Sequence, residues 1–312
     1  MRHLISVAAL ALFPVLATAA DGLDWAYPVT PRPEPLDTLV LKQVPGSERA
    51  YTQAQIDDAF NPPDWFPDEH PTMPPIVARG EKPAVRACAL CHLPSGDGHP
   101  ESSSLAGLPV SYLMRQLAAF KSGDRTGVRA TTMITIAQAI SDADALAASE
   151  YFASLKPGVW TDVIESETVP KTYVGAGAMR FVTKGAEAGK EPIGNRIITI
   201  PQDEDAAEAR NPRHGFIHYV PPGSIKKGED LVKTGGGGKT VPCAVCHGPD
   251  LRGLGEVPPI ANRDLLYVVR QLNDMQTGAR VGTWVPLMKA VVDKMTLDDM
   301  IAVAAYVGTL EP

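Results

Sequence analysis

All four cysteines of the chain lie inside two copies of one five-residue pattern, Cys-x-x-Cys-His, and no other feature restricts the possible folds as much. Two residues between the cysteines, wound as a helical turn, place both sulfurs on one side, where they reach the vinyl groups on one edge of a porphyrin. The histidine that follows projects beneath the ring and binds the iron. The pattern therefore predicts two covalently attached haem c groups. The predicted thioether residues are Cys88, Cys91, Cys243 and Cys246, and the predicted axial histidines are His92 and His247.

Paired cysteines also have three other common uses. In an oxidising compartment a Cys-x-x-Cys pair can close as a disulfide, and two such pairs can hold zinc as a four-cysteine site. A thioredoxin-like redox pair needs a strand-helix setting. None of these uses explains why a histidine follows the second cysteine in both copies, so the pattern favours haem attachment.

The chain also repeats itself at a constant offset of 155 residues, so that residues 85–157 align on residues 240–312 without a gap. Identical residues occur throughout this stretch and not only in the cysteine pattern. They include Pro94 and Pro249, Gly98 and Gly253, Tyr112 and Tyr267, Gln116 and Gln271, Gly123 and Gly278, Arg125 and Arg280, and Tyr151 and Tyr306. Self-similarity over this length indicates a duplicated domain rather than a short repeated motif.

The same offset selects a candidate for the sixth iron ligand. Of the nine methionines only Met133 and Met288 coincide, and of the seven histidines only His92 and His247 coincide. Methionine most often serves as core packing, but the register match favours a ligand role for this pair. If both haems are held alike, each iron has one histidine and one methionine ligand, and the thioether raises the reduction potential. Surface or loop positions are expected for His70, His99, His214 and His218.

Each copy is predicted to be a small helical domain. A helix can begin at Pro109 and end at Gly123. The last helix begins at a capping residue, Ser141 in the first copy and Thr296 in the second, and a helix capped by Ser224 is predicted to lead the second copy. The two ligand methionines are predicted to lie in less regular stretches between helices.

Each copy resembles a class I cytochrome c, and the tandem resembles the dihaem cytochromes of the c-four type and the related cytochrome subunits of periplasmic dehydrogenases. The resemblance rests on Cys-x-x-Cys-His, on the Tyr-x-x-x-Gln-Leu and Gly-x-Arg pattern of residues 112–125 and 267–280, and on a methionine eight residues before the capping Ser141 or Thr296. It covers about half of the chain.

The resemblance implies a mainly α fold built of two tandem class I cytochrome c domains. It implies that Tyr112, Gln116, Tyr267 and Gln271 pack against the haem edges or hydrogen-bond to them. The family also has a proline after the attachment motif whose carbonyl orients the axial histidine. Pro259 fits that position, whereas Ser104 replaces it in the first copy, and this departure could make the two potentials unequal.

Two regions have no counterpart in the resemblance, and they complete the predicted organisation. It comprises a signal peptide at 1–19, an irregular proline-rich N-terminal extension at 20–70, a first cytochrome domain at 71–157, a connecting segment at 158–223 and a second cytochrome domain at 224–312. Residues 160–169 and 196–200 of the connecting segment are rich in β-branched side chains and predict a small β element. The extra regions either brace the two domains or form a docking surface, and the sequence leaves both roles open.

The N-terminus has the form of a secretory signal. Arg2 precedes an apolar run from Leu4 to Leu16, and Ala17-Thr18-Ala19 supplies the small residues of a cleavage site. The run is short against the ~20 residues that a membrane span needs, and no second apolar segment approaches that length. The sequence therefore predicts export to the periplasm as a soluble protein with no integral membrane span after cleavage.

The predicted function is single-electron transfer between a periplasmic dehydrogenase or carrier and a terminal acceptor, with redox proteins as partners: a dehydrogenase, an oxidase or a small carrier. The formal net charge is −7, without a basic footprint, which argues against nucleic acid. A dihaem enzyme is the first alternative, either peroxidase-like or a dehydrogenase of sulfur compounds. The matched methionines and the lack of a spare cysteine argue against it, so the chain is predicted not to be an enzyme. An obligate cytochrome subunit of a dehydrogenase complex is the second alternative.

Overall fold

The computed structural model describes residues 22–29 and 37–312, so the predicted signal peptide at 1–19 lies outside the described residues. The helices are α1 (Gln53–Ile56), α2 (Pro75–Ala78), α3 (Cys88–His92), α4 (Val110–Ser122), α5 (Thr131–Ala139), α6 (Asp142–Ser154), α7 (Glu204–Glu208), α8 (Ser224–Thr234), α9 (Ala244–His247), α10 (Leu265–Thr277), α11 (Val285–Val292) and α12 (Leu297–Gly308). The strands are β1 (Leu41–Lys42), β2 (Tyr51–Thr52), β3 (Thr161–Glu165), β4 (Thr168–Pro170), β5 (Thr172–Val174), β6 (Arg180–Val182), β7 (Lys190–Pro192), β8 (Ile198–Pro201) and β9 (Phe216–Val220). Among these helices none has the length and apolar character needed to cross a bilayer.

The two copies have the same order of helices. Each runs from an attachment helix (α3 or α9) to a long helix (α4 or α10), then a short helix (α5 or α11) and a final helix (α6 or α12). The long helices end at Gly123 and Gly278, both in the left-handed conformation with φ of 85° and 84°, which glycine adopts at little cost. The predicted start and end of the first long helix are confirmed.

The final helices begin at the predicted caps. The hydroxyl of Ser141 accepts from the Asp144 N–H at 3.1 Å. The hydroxyl of Thr296 accepts from the Asp299 N–H at 3.3 Å, and the Asp299 carboxylate accepts from the Thr296 N–H at 2.8 Å. This reciprocal pair satisfies two amides that the helix itself leaves without partners.

Two local predictions were wrong. Met133 and Met288 lie within helices α5 and α11 and not in irregular stretches. In α5 the side chains of Ile134 and Ala137 pack with Phe120, and such burial of one helix face outweighs the low helix propensity of a threonine-rich start. Ser224 is the first residue of α8 rather than its cap, because Gly223 occupies the cap position with φ of 82°.

Helices α8 and α12 touch backbone to backbone at Gly228. A Cβ atom at this position would lie 1.9 Å from the carbonyl oxygen of Ala302 and 2.8 Å from the Cβ of Tyr306. The first copy lacks this crossing in the same form, because its leading helix α2 has only four residues. The absence of a side chain at Gly228 therefore sets the distance between α8 and α12.

Gly228→Ala is expected to destabilise the protein by about 2 kcal/mol, since overpacking of a close contact costs about 1–3 kcal/mol. Helix propensity alone predicts a gain of about 1 kcal/mol for the same change. The denaturation midpoint checks the sign, with Lys226→Ala on the exposed face of α8 as the control. A raised midpoint for Gly228→Ala would show that the helices have room to separate.

The connecting segment contains the predicted β element. Strands β3, β9 and β8 form a three-stranded sheet in that order, with β3 and β9 parallel and β8 and β9 antiparallel. Strand β9 was not predicted. The sheet is fastened to the second copy, where the Thr161 hydroxyl donates to the Gly308 carbonyl at 2.6 Å and the Trp160 N–H donates to Asn262 Oδ1 at 2.9 Å.

The N-terminal extension packs on the second copy and on the connecting segment. Trp25 and Tyr27 are buried in the core of the second copy, where Arg270 donates to the Ala26 carbonyl at 2.9 Å. Further along, Trp65 Nε1 donates to the carbonyl of Ala209 in the connecting segment at 2.7 Å. Of the two roles left open for these regions, the described contacts are those of a brace.

Candidate functional site

Each attachment helix places one of its two cysteines on the same hydrophobic core as the matched methionine of its own copy. None of the four cysteines is in a disulfide. Cys88 and Met133 pack, partly buried, on the core of the first copy, and Cys243 and Met288 pack on the core of the second. The structure thus brings together, in each copy, the residue types that the sequence assigns to one haem.

Each histidine that is predicted to bind iron is oriented by a backbone carbonyl. His92 Nδ1 lies 2.8 Å from the Ser103 carbonyl oxygen, and His247 Nδ1 lies 2.8 Å from that of Pro258. With Nδ1 donating to the carbonyl, Nε2 is the nitrogen left to bind iron. Burial lowers the pKa of both histidines, which favours the neutral imidazole that coordinates iron.

The residue expected to supply this carbonyl was misplaced by one position. Pro259 and Ser104 were expected, whereas the carbonyls belong to Pro258 and Ser103. A backbone carbonyl is common to serine and proline, so replacing one by the other leaves the hydrogen bond at the same length. This hydrogen bond therefore gives no reason to expect unequal reduction potentials at the two haems.

The two copies face each other around a pseudo-two-fold axis. The Thr126 N–H donates to the Ala279 carbonyl at 2.7 Å, and the Val281 N–H donates to the Asp124 carbonyl at 2.6 Å. The offset of 155 converts the first hydrogen bond into the second, as in an isologous interface between two subunits. The internal duplication therefore makes this part of the molecule resemble a dimer.

A buried hydrogen-bonded network lies across this interface, and Arg125 and Arg280 are its donors. Arg125 donates to Gln116 at 3.1 Å, to Tyr267 at 3.2 Å and to Gln271 at 2.8 Å. Arg280 makes the symmetry-related contacts, to Gln271 at 2.9 Å, to Tyr112 at 3.2 Å and to Gln116 at 2.8 Å. The four residues that the resemblance assigns to the haem edges thus meet where the two copies touch.

The charge of this network fits haem propionates. Arg125, Arg280 and the neighbouring Arg263 are 8%, 9% and 6% exposed. Within the described residues the hydrogen bonds of their guanidiniums go to neutral oxygens, those of Arg263 to Ser104, and the Arg263 Nε has no partner. A buried charge without a hydrogen-bonded counter-charge is costly. Carboxylates of two haems would supply that counter-charge, so the residues present fit the group.

The same charges act on Tyr267. Burial by itself raises the pKa of a phenol, but the guanidiniums of Arg125 and Arg280 outweigh it and lower the pKa of Tyr267 to about 8. The Arg125 and Arg280 guanidiniums thus favour a negative charge at the position of Tyr267.

Known proteins show what this chain is similar to. No protein-family profile matches the chain. A stretch of 79 residues is 33% identical to cytochrome c-554(548) of Halomonas halodenitrificans and covers 25% of this chain and 94% of that protein. The chain belongs to the c-type cytochromes.

Two longer matches cover most of the chain. The chain is 27% identical over 230 residues to a thiosulfate dehydrogenase electron acceptor of Thiomonas intermedia, and this match covers 72% of this chain and 79% of that protein. It is 23% identical over 239 residues to cytochrome c4 of Pseudomonas aeruginosa, covering 75% and 88%. The relatives are dihaem cytochromes that act in electron transfer, and the predicted two haem c groups are confirmed.

Some residues of the site were missed or misjudged from the sequence. Arg125 and Arg280 coincide under the offset, which was the available signal, but nothing in the pattern showed that they cross to the other copy. No motif or repeat in the sequence had pointed to Arg263. The prediction for the remaining histidines was wrong at His218, which is fully buried in β9, and incomplete at His99, which lies in a loop but is buried.

Proposed function

We propose that this cytochrome is a periplasmic electron carrier in which each iron has one histidine and one methionine ligand, His92 with Met133 and His247 with Met288. The observation that carries the proposal is the matched arrangement of the two copies. In each, the imidazole is held by a backbone carbonyl, and the one methionine shared by both copies packs on the same core as an attachment cysteine.

Backbone carbonyls and a neighbouring ring hold the two histidines in place. The carbonyls of Ser103 and Pro258 keep each imidazole in one tautomer and one orientation. The Phe152 ring stands edge-on to His92, with centroids 6.1 Å apart. Bound haem supplies the reversible one-electron iron couple. Met133 and Met288 would fill the remaining coordination position of each iron and leave none for a substrate, which favours a carrier.

A thiosulfate dehydrogenase is the candidate donor, because relatives carry the name of its electron acceptor. The rival in which this chain itself oxidises a sulfur compound is disfavoured. Such an enzyme of the dihaem type would use a cysteine as iron ligand, and all four cysteines are engaged in the attachment motifs. A peroxidase would need an open or displaceable sixth position. An obligate subunit of a dehydrogenase complex shares the haem chemistry and differs in its partner.

Anaerobic rapid mixing separates these functions. The oxidised protein is expected to take up two electrons from a thiosulfate dehydrogenase supplied with thiosulfate, and to return them to an electron acceptor such as ferricyanide. Without the dehydrogenase, thiosulfate with ferricyanide as electron acceptor should produce no steady turnover, and neither should hydrogen peroxide with ascorbate as electron donor. Steady turnover in either mixture would overturn the carrier function. A large subunit that stays bound through purification would instead support the obligate-subunit alternative.

A further inference from the structure

The two attachment sites differ in how far they are covered. Leu90, the second residue between the first pair of cysteines, is 6% exposed, whereas its counterpart Val245 is 65% exposed. His99 is 8% exposed, and its counterpart Leu254 is 60% exposed. Cys246 is likewise exposed. Residues in equivalent positions of a duplicated fold thus lie in opposite environments.

The connecting segment covers the first attachment site and contacts it through Leu93, the residue that directly follows the attachment motif. Leu93 has φ of 61°, and its counterpart in the second copy is Gly248, with φ of 84°. A leucine in this conformation is strained. Its side chain is 2% exposed and packs in a cluster with Trp160 and Phe216 of the connecting segment. Burial under this segment offsets the strain that a glycine would avoid.

Arg210 of the connecting segment fixes the cover to the attachment helix. Its guanidinium donates to the Leu90 carbonyl at 2.9 Å and lies 3.3 Å from His99 Nε2. It also donates twice to Asp57 of the N-terminal extension, at 3.0 Å and 2.7 Å. The extension and the connecting segment therefore meet at one ion pair directly on the first attachment helix.

We infer that the connecting segment is a shield that makes the first haem the internal one, with Arg210 as its positioning residue, and leaves the second haem as the site of electron exchange with other molecules. The inference rests on the proposed carrier function. Exclusion of water and a nearby cation both disfavour the ferric form, which carries one more positive charge than the ferrous form, so the shield raises the potential of the first haem.

Substitutions at the ion pair test the shield with opposite signs. Arg210→Met removes the cation and loosens the cover, and it is expected to lower the midpoint potential of the first haem alone. Asp57→Asn leaves the cation uncompensated and is expected to raise the same potential. Arg213→Met is the matched control, since Arg213 also joins the two segments, through Glu69, but does not contact the attachment helix. It should leave both potentials unchanged.

Optical redox titration gives the potentials, and the first haem is identified as the one whose spectrum changes in Met133→Ala. Rapid reduction of the unmodified protein by ascorbate should show a fast phase that belongs to the second haem, and Arg210→Met should speed the phase of the first. Unchanged potentials, equal shifts of both haems, or a fast phase at the first haem would overturn the shield. Haems that do not titrate reversibly would instead overturn the carrier function on which it rests.

Discussion

Met288→Ala is expected to abolish the near-infrared absorption of the oxidised second haem and to leave that of the first, and Met133→Ala is expected to do the reverse. This absorption arises from methionine bound to ferric iron, so it reports the ligand directly. Loss of the thioether should also lower the potential of the affected haem by on the order of 0.1 V or more, within the ~0.8 V range that axial ligands span. Near-infrared absorption and redox titration of the two variants measure both effects.

Met300→Ala is the control for this pair. Met300 lies in the same core as Met288, is 1% exposed and has no methionine counterpart under the offset. Its truncation should cost about 3 kcal/mol of stability and leave both absorption bands in place. If Met133→Ala or Met288→Ala keeps both bands, the assignment of the ligands is wrong.

Arg280→Met is expected to destabilise the contact between the two copies by about 3 kcal/mol, since removing one member of a buried polar network strands its partners. The variant leaves Tyr112 and Gln116 with one donor fewer and removes a counter-charge for the propionates. Chemical denaturation followed separately at each haem should then show two transitions that lie further apart than in the unmodified protein.

Arg115→Met provides a matched exposed contact between the copies. Arg115 pairs with Glu256 at 2.5 Å, and the two side chains are 30% and 53% exposed. Because solvent screens such pairs, the expected loss is below about 1 kcal/mol. Equal losses for Arg115→Met and Arg280→Met would show that the buried network has no special part in holding the copies together.

Much of each cytochrome copy could be predicted because its signals are local. The cysteine pattern fixes the attachment helix, Gly123 marks where α4 stops, and Ser141 and Thr296 mark where the final helices start. The constant offset adds one non-local statement, that Met133 and Met288 are equivalent. Local patterns misjudged the helices around these methionines, and in α5 it was tertiary packing on Phe120 that decided the conformation.

The arrangement of the copies could not be predicted in the same way. Periodicity and capping describe a helix but not the partner that it meets, so the crossing of Arg125 to Tyr267 and of Arg280 to Tyr112 required the structure. The cover over the first attachment helix is also non-local, since Arg210 reaches a residue 120 positions earlier in the chain. The two haem sites differ in their contacts with the N-terminal extension and the connecting segment. Each of these regions occurs once in the chain, so the offset of 155 gives no information about them.

The ligand set of the oxidised protein is tested most directly by quantitative near-infrared absorption, combined with electron paramagnetic resonance on the same sample. If both irons have the proposed histidine and methionine ligands, the absorption per chain equals that of two methionine-to-ferric-iron bands, and two low-spin signals are expected. A single equivalent of the band, or a high-spin signal from either haem in the resting protein, would contradict the assignment. A high-spin haem would also restore the possibility that the protein binds a substrate at iron.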